Sequence, residues 1–468
     1  MKNNRRIIYI LALLLLAAFS FRLALPAEAR AQGAPSQAKR VIVISLDGLD
    51  VRYLQKRDEY GLKIPTLRRL MNDGVLAQVV GVYPSVTYPS HTTIVTGATL
   101  ARHGIYGNEI FEPPGTPQTG SWHWFARDIR AETLWDAATR KHLSTALISW
   151  PVSIGAGDYS FPEIWKPGGT REETSAVIKA NAHPSGLIEE LERRDPQLYS
   201  KQTRDESDDI RTRFAEYIIE TKRPQVTLVH LFDLDHFEHE KGPFTADVFA
   251  ILEKVDGYVG RILNAARRAG TLDETAIFIV SDHGFMPTSK VIHPGVILAR
   301  AGLLKVSEER DAQGRTRAIA SDGRAWPYVS GGSCAIILRD PKDKEAASRA
   351  LAAFKDFAQG EGRGTLRVIE GKELRRFKTN PDAAFVLEAS DGYYFEHNYT
   401  GQPVTPSPYK GQHGYLPERY YTTFIASGAG VTKRGTLGTI RLIDEGPTIA
   451  RTIGLKLKDA EGRASPLN

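Results

Sequence analysis

Cysteine is almost absent. Of 468 residues only Cys334 carries a thiol, so no disulfide can form within the chain. Its flanks, Gly331-Gly332-Ser333 and Ala335 to Leu338, read as the entry to a strand, which makes Cys334 a small buried hydrophobe. No block of like charge occurs, so a nucleic-acid groove is not expected. Internal repeats and low-complexity tracts are missing too. The N-terminal apolar run, Ile7 to Phe21, is 15 residues long and ends at Arg22, which is short for a bilayer span. No G-x-S-x-G elbow is present, which removes the α/β-hydrolase type of serine nucleophile.

What is present is ordinary globular composition, 41% hydrophobic and 25% charged, which excludes disorder, collagen and coiled-coil arrays as the main architecture. Lys2, Arg5 and Arg6, the apolar run, and Ala27-Glu28-Ala29-Arg30-Ala31 follow the order of a secretory signal, with cleavage expected after Ala31. The mature chain, 32–468, is then periplasmic or extracellular, with no stable membrane anchor. Residues 1–31 carry five basic groups against Glu28, so of the formal +6 only +2 remains beyond them. Long-range steering of a polyanion is therefore weak.

Four short apolar runs end in polar residues. They are Val41 to Leu46 before Asp47, Val226 to Phe232 before Asp233 and Asp235, Ala276 to Val280 before Ser281-Asp282-His283, and Tyr421 to Ala426 before Ser427-Gly428. Their β-branched content without alternation predicts strands buried on both faces of a largely parallel sheet. Helical spacing predicts helices over Ala246 to Arg268, with Gly270 as its C-terminal cap, and over Asp208 to Lys222. The pattern is α/β: a doubly wound, mainly parallel sheet sandwiched by helices, whose ligands gather beyond the carboxyl ends of the strands. One catalytic domain is expected over 32–468, with insertions near 111–170 and 300–410. Phe111 to Ser121, Phe161 to Thr170 and Ser307 to Tyr328 read as loops or a small cap.

The chemistry lies at those strand ends. Asp47, Asp235, His239, Asp282, His283 and the isolated His413 make a mixed oxygen and nitrogen set that suits Zn²⁺, with Mn²⁺ or Fe as weaker alternatives. Six ligands exceed one tetrahedral zinc but serve two ions about 4 Å apart, the arrangement that clamps attacking and leaving oxygens in phosphoryl transfer. Singly, each motif has a plainer reading: Asp-Gly is a turn, Asp-His-Gly a turn or helix start, and Asp-x-x-x-His a surface pair. The segment Tyr83 to Gly97 offers Ser85, Thr87, Ser90, Thr92 and Thr93 as nucleophiles that a metal could activate. Its plainer reading is a loop leading to a helix capped by Ser90.

In order along the chain stand S-L-D-G, V-T-Y-P-S-H-T-T-I-V-T-G, H-G-I-Y-G-N, D-H-F-E-H-E-K-G-P, S-D-H-G-F and Q-H-G-Y. This order resembles the nucleotide pyrophosphatase/phosphodiesterase family of the alkaline phosphatase superfamily over about 40–455, closing with a helix from Pro447. The resemblance implies Thr87 as nucleophile, one metal held by Asp47, Asp282 and His283, and a second by Asp235, His239 and His413. Asp235 rather than Asp233 keeps the family's register with His239 and Gly242-Pro243. Asn108 then donates to a phosphoryl oxygen, although Gly107-Asn108 alone reads as a turn. Tyr88 and Trp150 match substrate-pocket positions, while loop packing and core burial are their plainer roles. The implied activity is hydrolysis of a small-molecule phosphodiester or nucleotide through a phosphothreonine at a di-zinc site. Alternatives are a phosphomonoesterase, for which Lys166 is the one cation in place and Gly168 stands where a second would, and a phospholipid-headgroup phosphodiesterase. A non-catalytic metal- or phosphate-binding protein is the alternative of another class. Sulfatase chemistry is excluded, since the nucleophile segment has no C/S-x-P-x-R.

Overall fold

The computed structural model describes residues 37–113, 121–164, 170–196, 198, 207–310 and 316–468. The expected signal segment 1–31 and Lys166 lie outside the described residues. Eight strands form the main sheet in the order Gly435–Arg441, Gly74–Val80, Thr422–Gly428, Thr275–Val280, Arg40–Leu46, Val226–Leu231, Thr145–Ile148 and Tyr159–Phe161. Neighbours are parallel except at Thr422–Gly428, which runs against both of its partners. Apolar pattern sets burial but not direction, so the sequence did not reveal that reversal.

The lack of alternation in these strands has a direct cause. Ile42, Ile44 and Leu46 enter one hydrophobic cluster, and Val41 and Val43 enter another on the opposite face. Val229 and Leu231 divide from Val226 and Leu228 in the same way. The helix Ala246–Arg268 spans the expected residues and places Leu252, Val255, Val259 and Ile262 in the first cluster. Gly270 follows it with φ +71°, the left-handed conformation that glycine adopts without strain. The helix expected over Asp208 to Lys222 runs from Ser207 to Thr221, and the closing helix is Glu445–Thr452.

A third cluster belongs to a smaller unit built from residues after His283. Ala325–Ser330, Ser333–Leu338, Ala383–Ala389 and Leu366–Ile369 form an antiparallel sheet backed by the helix Lys344–Gln359. Cys334 is buried there, on a strand, as its flanks indicated. Of the two readings of Ser307 to Tyr328, loop or small cap, the loop is corrected: Leu304–Arg310 pairs antiparallel with Thr316–Gly323, and Ala325–Ser330 follows. Leu304–Arg310 is exposed over most of its length, so its charges carry no alternation to read. Among the described residues no helix is long and apolar enough to cross a membrane.

Candidate functional site

Parallel strands bring their carboxyl ends to one sheet edge, and there the polar residues converge. Asp47 follows Arg40–Leu46, and Asp282 and His283 follow Thr275–Val280. The helix Asp233–Lys241 follows Val226–Leu231 and presents Asp235 and His239 one turn apart. His413 arrives from 130 positions later in the chain by a different route. Gln412 pairs with Met286, so His413 is delivered beside the turn that holds Asp282 and His283. Gly48, at φ +77°, makes the turn after Asp47 possible, because a Cβ there would lie 2.5 Å from Glu238 Oε2.

The six expected ligands meet in one place. Asp47, Asp282 and His283 form one trio able to hold a metal ion, with His283 Nε2 3.3 Å from Asp47 Oδ1 and 3.1 Å from Asp282 Oδ2. The second trio is Asp235, His283 and His413, which differs in one member from the set expected. His239 remains beside it, its Nε2 3.5 Å from Asp235 Oδ1, and its Nδ1 proton is donated to the Gly411 carbonyl at 3.1 Å. His283 therefore lies between both sets, which sequence spacing does not disclose. Asp235 Oδ1 is also 3.7 Å from His413 Nε2.

The facing oxygens, Asp47 Oδ1, Asp235 Oδ1 and Asp282 Oδ2, are buried and have no hydrogen-bond partner. Unpartnered buried carboxylate oxygens are costly unless a cation meets them. Burial, then repulsion from Asp235, pushes the Asp47 carboxyl far up, and burial with Asp47 does the same to Asp282. Burial also raises Asp235. The imidazoles of His283 and His413 are pushed well down by burial and by neighbouring histidines, which favours the neutral form that ligates metal. The donor set thus fits metal ions, and its mixed carboxylate and imidazole character suits zinc.

Known proteins resemble this chain in sequence and fold. The family model for type I phosphodiesterase / nucleotide pyrophosphatase matches residues 41–416. The chain belongs to that family. It is 26% identical over 255 residues to an uncharacterised pyrophosphatase/phosphodiesterase of Schizosaccharomyces pombe, covering 53% of this chain and 45% of that protein. With ectonucleotide pyrophosphatase/phosphodiesterase family member 3 of Mus musculus it shares 24% over 257 residues, 53% of this chain and 25% of the relative. The match therefore spans less than half the length of these curated relatives. Murine ectonucleotide pyrophosphatase/phosphodiesterase 5, solved as an inactive variant in complex with AMP, has the same fold at TM-score 0.60 and 18% identity, over 92% of this chain and 97% of that one. The family's members hydrolyse phosphoric ester bonds.

Thr87 opens the helix Thr87–Thr96, with Val86 as an N-cap that makes no side-chain bond. Ser90 therefore lies inside the helix and does not cap it. Thr87 Oγ1 is 3.4 Å from His283 Nε2. The other hydroxyls of the segment are turned elsewhere. Ser85 donates to the Tyr415 carbonyl, Thr92 donates to the Tyr88 carbonyl, Thr93 meets His103, and Ser90 is wholly buried. Of these five hydroxyl residues, Thr87 alone lines the cavity of about 520 Å³ beside both trios. Asn108 lines it too, and its Oδ1 accepts the Tyr88 backbone N–H at 2.9 Å, which leaves the Nδ2 amide as its donor.

Tyr88 is buried but reaches the cavity wall, edge-on to Trp122. Trp150 does not belong to that wall. It is fully buried in the second hydrophobic cluster and packs edge-on against His91, so the substrate contact expected of it is corrected to a core role. It stands two residues beyond the strand Thr145–Ile148, where its ring packs into the second cluster.

Two histidines escaped the sequence reading. His230 Nε2 lies 2.9 Å from Asp47 Oδ2 and its Nδ1 3.1 Å from the Ser149 carbonyl. His91 Nδ1 is 2.8 Å from the Thr87 carbonyl and Nε2 is 2.8 Å from Ser45 Oγ, which ties the first helical turn to the central strand. The signal for His230 was a single imidazole inside the apolar run Val226–Leu231, a buried group that requires partners.

Proposed function

We propose that the protein is an exported phosphodiesterase/nucleotide pyrophosphatase that works through a phosphothreonine on Thr87 at a di-zinc site. The carrying observation is the Thr87 hydroxyl on the cavity wall, 3.4 Å from a histidine shared by two trios whose carboxylate oxygens lack partners. Asp47, Asp282 and His283 would hold one ion, and Asp235, His239 and His413 the other, with His283 next to both. When bound, the ions lower the pKa of a hydroxyl or water and meet charge on phosphoryl oxygens.

The chain's own groups do the rest. Thr87 Oγ loses its proton to water in the cavity and attacks phosphorus, and the bond to the leaving oxygen breaks with its electron pair, which takes up a proton from water. Asn108 Nδ2 donates to a non-bridging oxygen as charge builds on it. Water then attacks the phosphothreonine from the vacated side, its oxygen bonds to phosphorus as the bond to Thr87 Oγ breaks, a proton returns to Thr87 Oγ, and a phosphomonoester leaves. His91, bonded to the Thr87 carbonyl, holds the nucleophile's backbone in place.

Substrates are small phosphodiesters or nucleotides, a reading supported by family membership and by the AMP complex of the murine relative. Export rests on the signal-like order of residues 1–31. The test of substrate class is charge at phosphorus: a monoester carries one more negative charge than a diester. The kcat/KM for nitrophenyl thymidine monophosphate is expected to exceed that for nitrophenyl phosphate by more than about a hundredfold. If the monoester is preferred, and Lys166→Ala lowers that activity selectively, the enzyme is a phosphomonoesterase with the same nucleophile.

His230 supplies a further check on the metal assignment. By holding Asp47 Oδ2 it leaves Oδ1 facing His283, as groups behind metal ligands do. His230→Phe is expected to weaken zinc binding by about 10–100-fold in competition with a chromogenic chelator, with His230→Gln recovering part of the loss. Equal zinc affinity in wild type and His230→Phe would refute this role.

A further inference from the structure

The cavity wall carries more negative charge than the two trios account for. Besides Asp47 and Asp235 it is lined by Glu109, Glu163, Glu240 and Glu396, and among the described lining residues none is Lys or Arg. These four carboxylates come from separate segments: Glu109 from a bridge to Trp122, Glu163 after Tyr159–Phe161, Glu240 in the helix Asp233–Lys241, and Glu396 after Gly392–Phe395. A substrate group extending from the phosphate toward any of these segments approaches a carboxylate.

Their partners offset only part of that charge. Arg211 pairs with Glu163 at 3.4 Å. Glu240 has His236 at 3.5 Å, and Glu396 accepts the Tyr394 hydroxyl at 3.0 Å, a neutral partner. Burial and Glu112 raise the Glu109 carboxyl, so Glu240 and Glu396 are the pair to test. Between the carboxylates the wall is aromatic, with Tyr88, Trp122, Phe232, Phe395 and Tyr409. Tyr409 is 42% exposed and its ring lies 5.6 Å from that of His239. Aromatic faces with carboxylates attract cations and disfavour anions.

We infer that the site selects by charge: it takes phosphodiesters whose scissile phosphate is the sole anionic group, flanked by a neutral or ammonium-bearing alcohol, and discriminates against substrates with further phosphates. This rests on the phosphodiesterase half of the reading above and sets its pyrophosphatase half aside, since every pyrophosphate carries a second anionic phosphate and nucleoside triphosphates become poor substrates.

A matched pair of esters tests the inference with one leaving group. Thymidine 5′-(nitrophenyl phosphate) and the same ester bearing a 3′-phosphate differ only in that phosphoryl group, and salt dependence separates its charge from its bulk. The 3′-phosphate is expected to lower kcat/KM by about tenfold or more at low salt, less at high salt. In Glu240→Gln/Glu396→Gln the penalty should shrink several-fold, while nitrophenyl phosphorylcholine, with its quaternary ammonium, loses rate relative to bis(nitrophenyl) phosphate. Equal rates for the two thymidine esters in the wild type, or a penalty unchanged in the double variant, overturn charge selection alone. No cleavage of the parent thymidine ester overturns the phosphodiesterase reading itself.

Discussion

Thr87→Ala is expected to lower kcat/KM for nitrophenyl thymidine monophosphate by at least about 10⁴-fold, with secondary structure and thermal midpoint unchanged. The size follows from the role: without the hydroxyl no covalent intermediate forms, and only direct attack by water remains. Thr87 is partly exposed to the cavity at the start of its helix, and its side chain supports no cap, so its removal costs the fold little. Thr87→Ser keeps a hydroxyl at the same place and should retain part of the rate. The neighbouring hydroxyls make the prediction sharp. Ser85, Thr92 and Thr93 are each engaged inside the protein, and Ser90 is buried. Wild-type turnover in Thr87→Ala together with loss in Ser90→Ala would show that the register is wrong. Mass spectrometry of acid-quenched enzyme should find the phosphoryl group on the peptide that contains Thr87.

Removal of metal is the second large effect. Exhaustive chelation should abolish turnover, and zinc should restore it with two equivalents bound per chain. Asp47, Asp235 and Asp282 present three unpartnered carboxylate oxygens to one another at a buried edge, which repel until cations intervene. Zinc is expected to bind this arrangement more tightly than the unfolded chain's scattered side chains, so the thermal midpoint should rise with zinc concentration. Asp282→Asn and His283→Ala should each lose bound metal, and His283→Ala should affect both equivalents because His283 belongs to both trios. Elemental analysis that finds one zinc per chain, or full activity after chelation, would exclude the two-ion reading.

Much of the site was legible because its residues obey local rules. Asp47 directly follows one apolar run and Asp282 and His283 come just after another, runs whose β-branched content points to buried strands, and Asp235 and His239 have helical i, i+4 spacing. His413 was legible through its motif alone, since nothing near it in sequence explains why it matters. Its placement depends on Gln412 pairing with Met286, a contact between segments more than a hundred residues apart. Trp150 shows the opposite case. Its motif pointed to the cavity, but burial in the second cluster and packing against His91 decide its role.

By itself the sequence determined the α/β architecture, the strand ends that carry the candidate ligands, and the long helix Ala246–Arg268, because burial on two faces and helical periodicity are written in consecutive residues. Only the tertiary structure decided that Thr422–Gly428 runs antiparallel, that His283 stands between both trios, and that His230 backs Asp47. It also decided which of five hydroxyls reaches the cavity and that four glutamates surround it. These are relations between segments distant in the chain, and they depend on strand order and packing that local pattern does not encode.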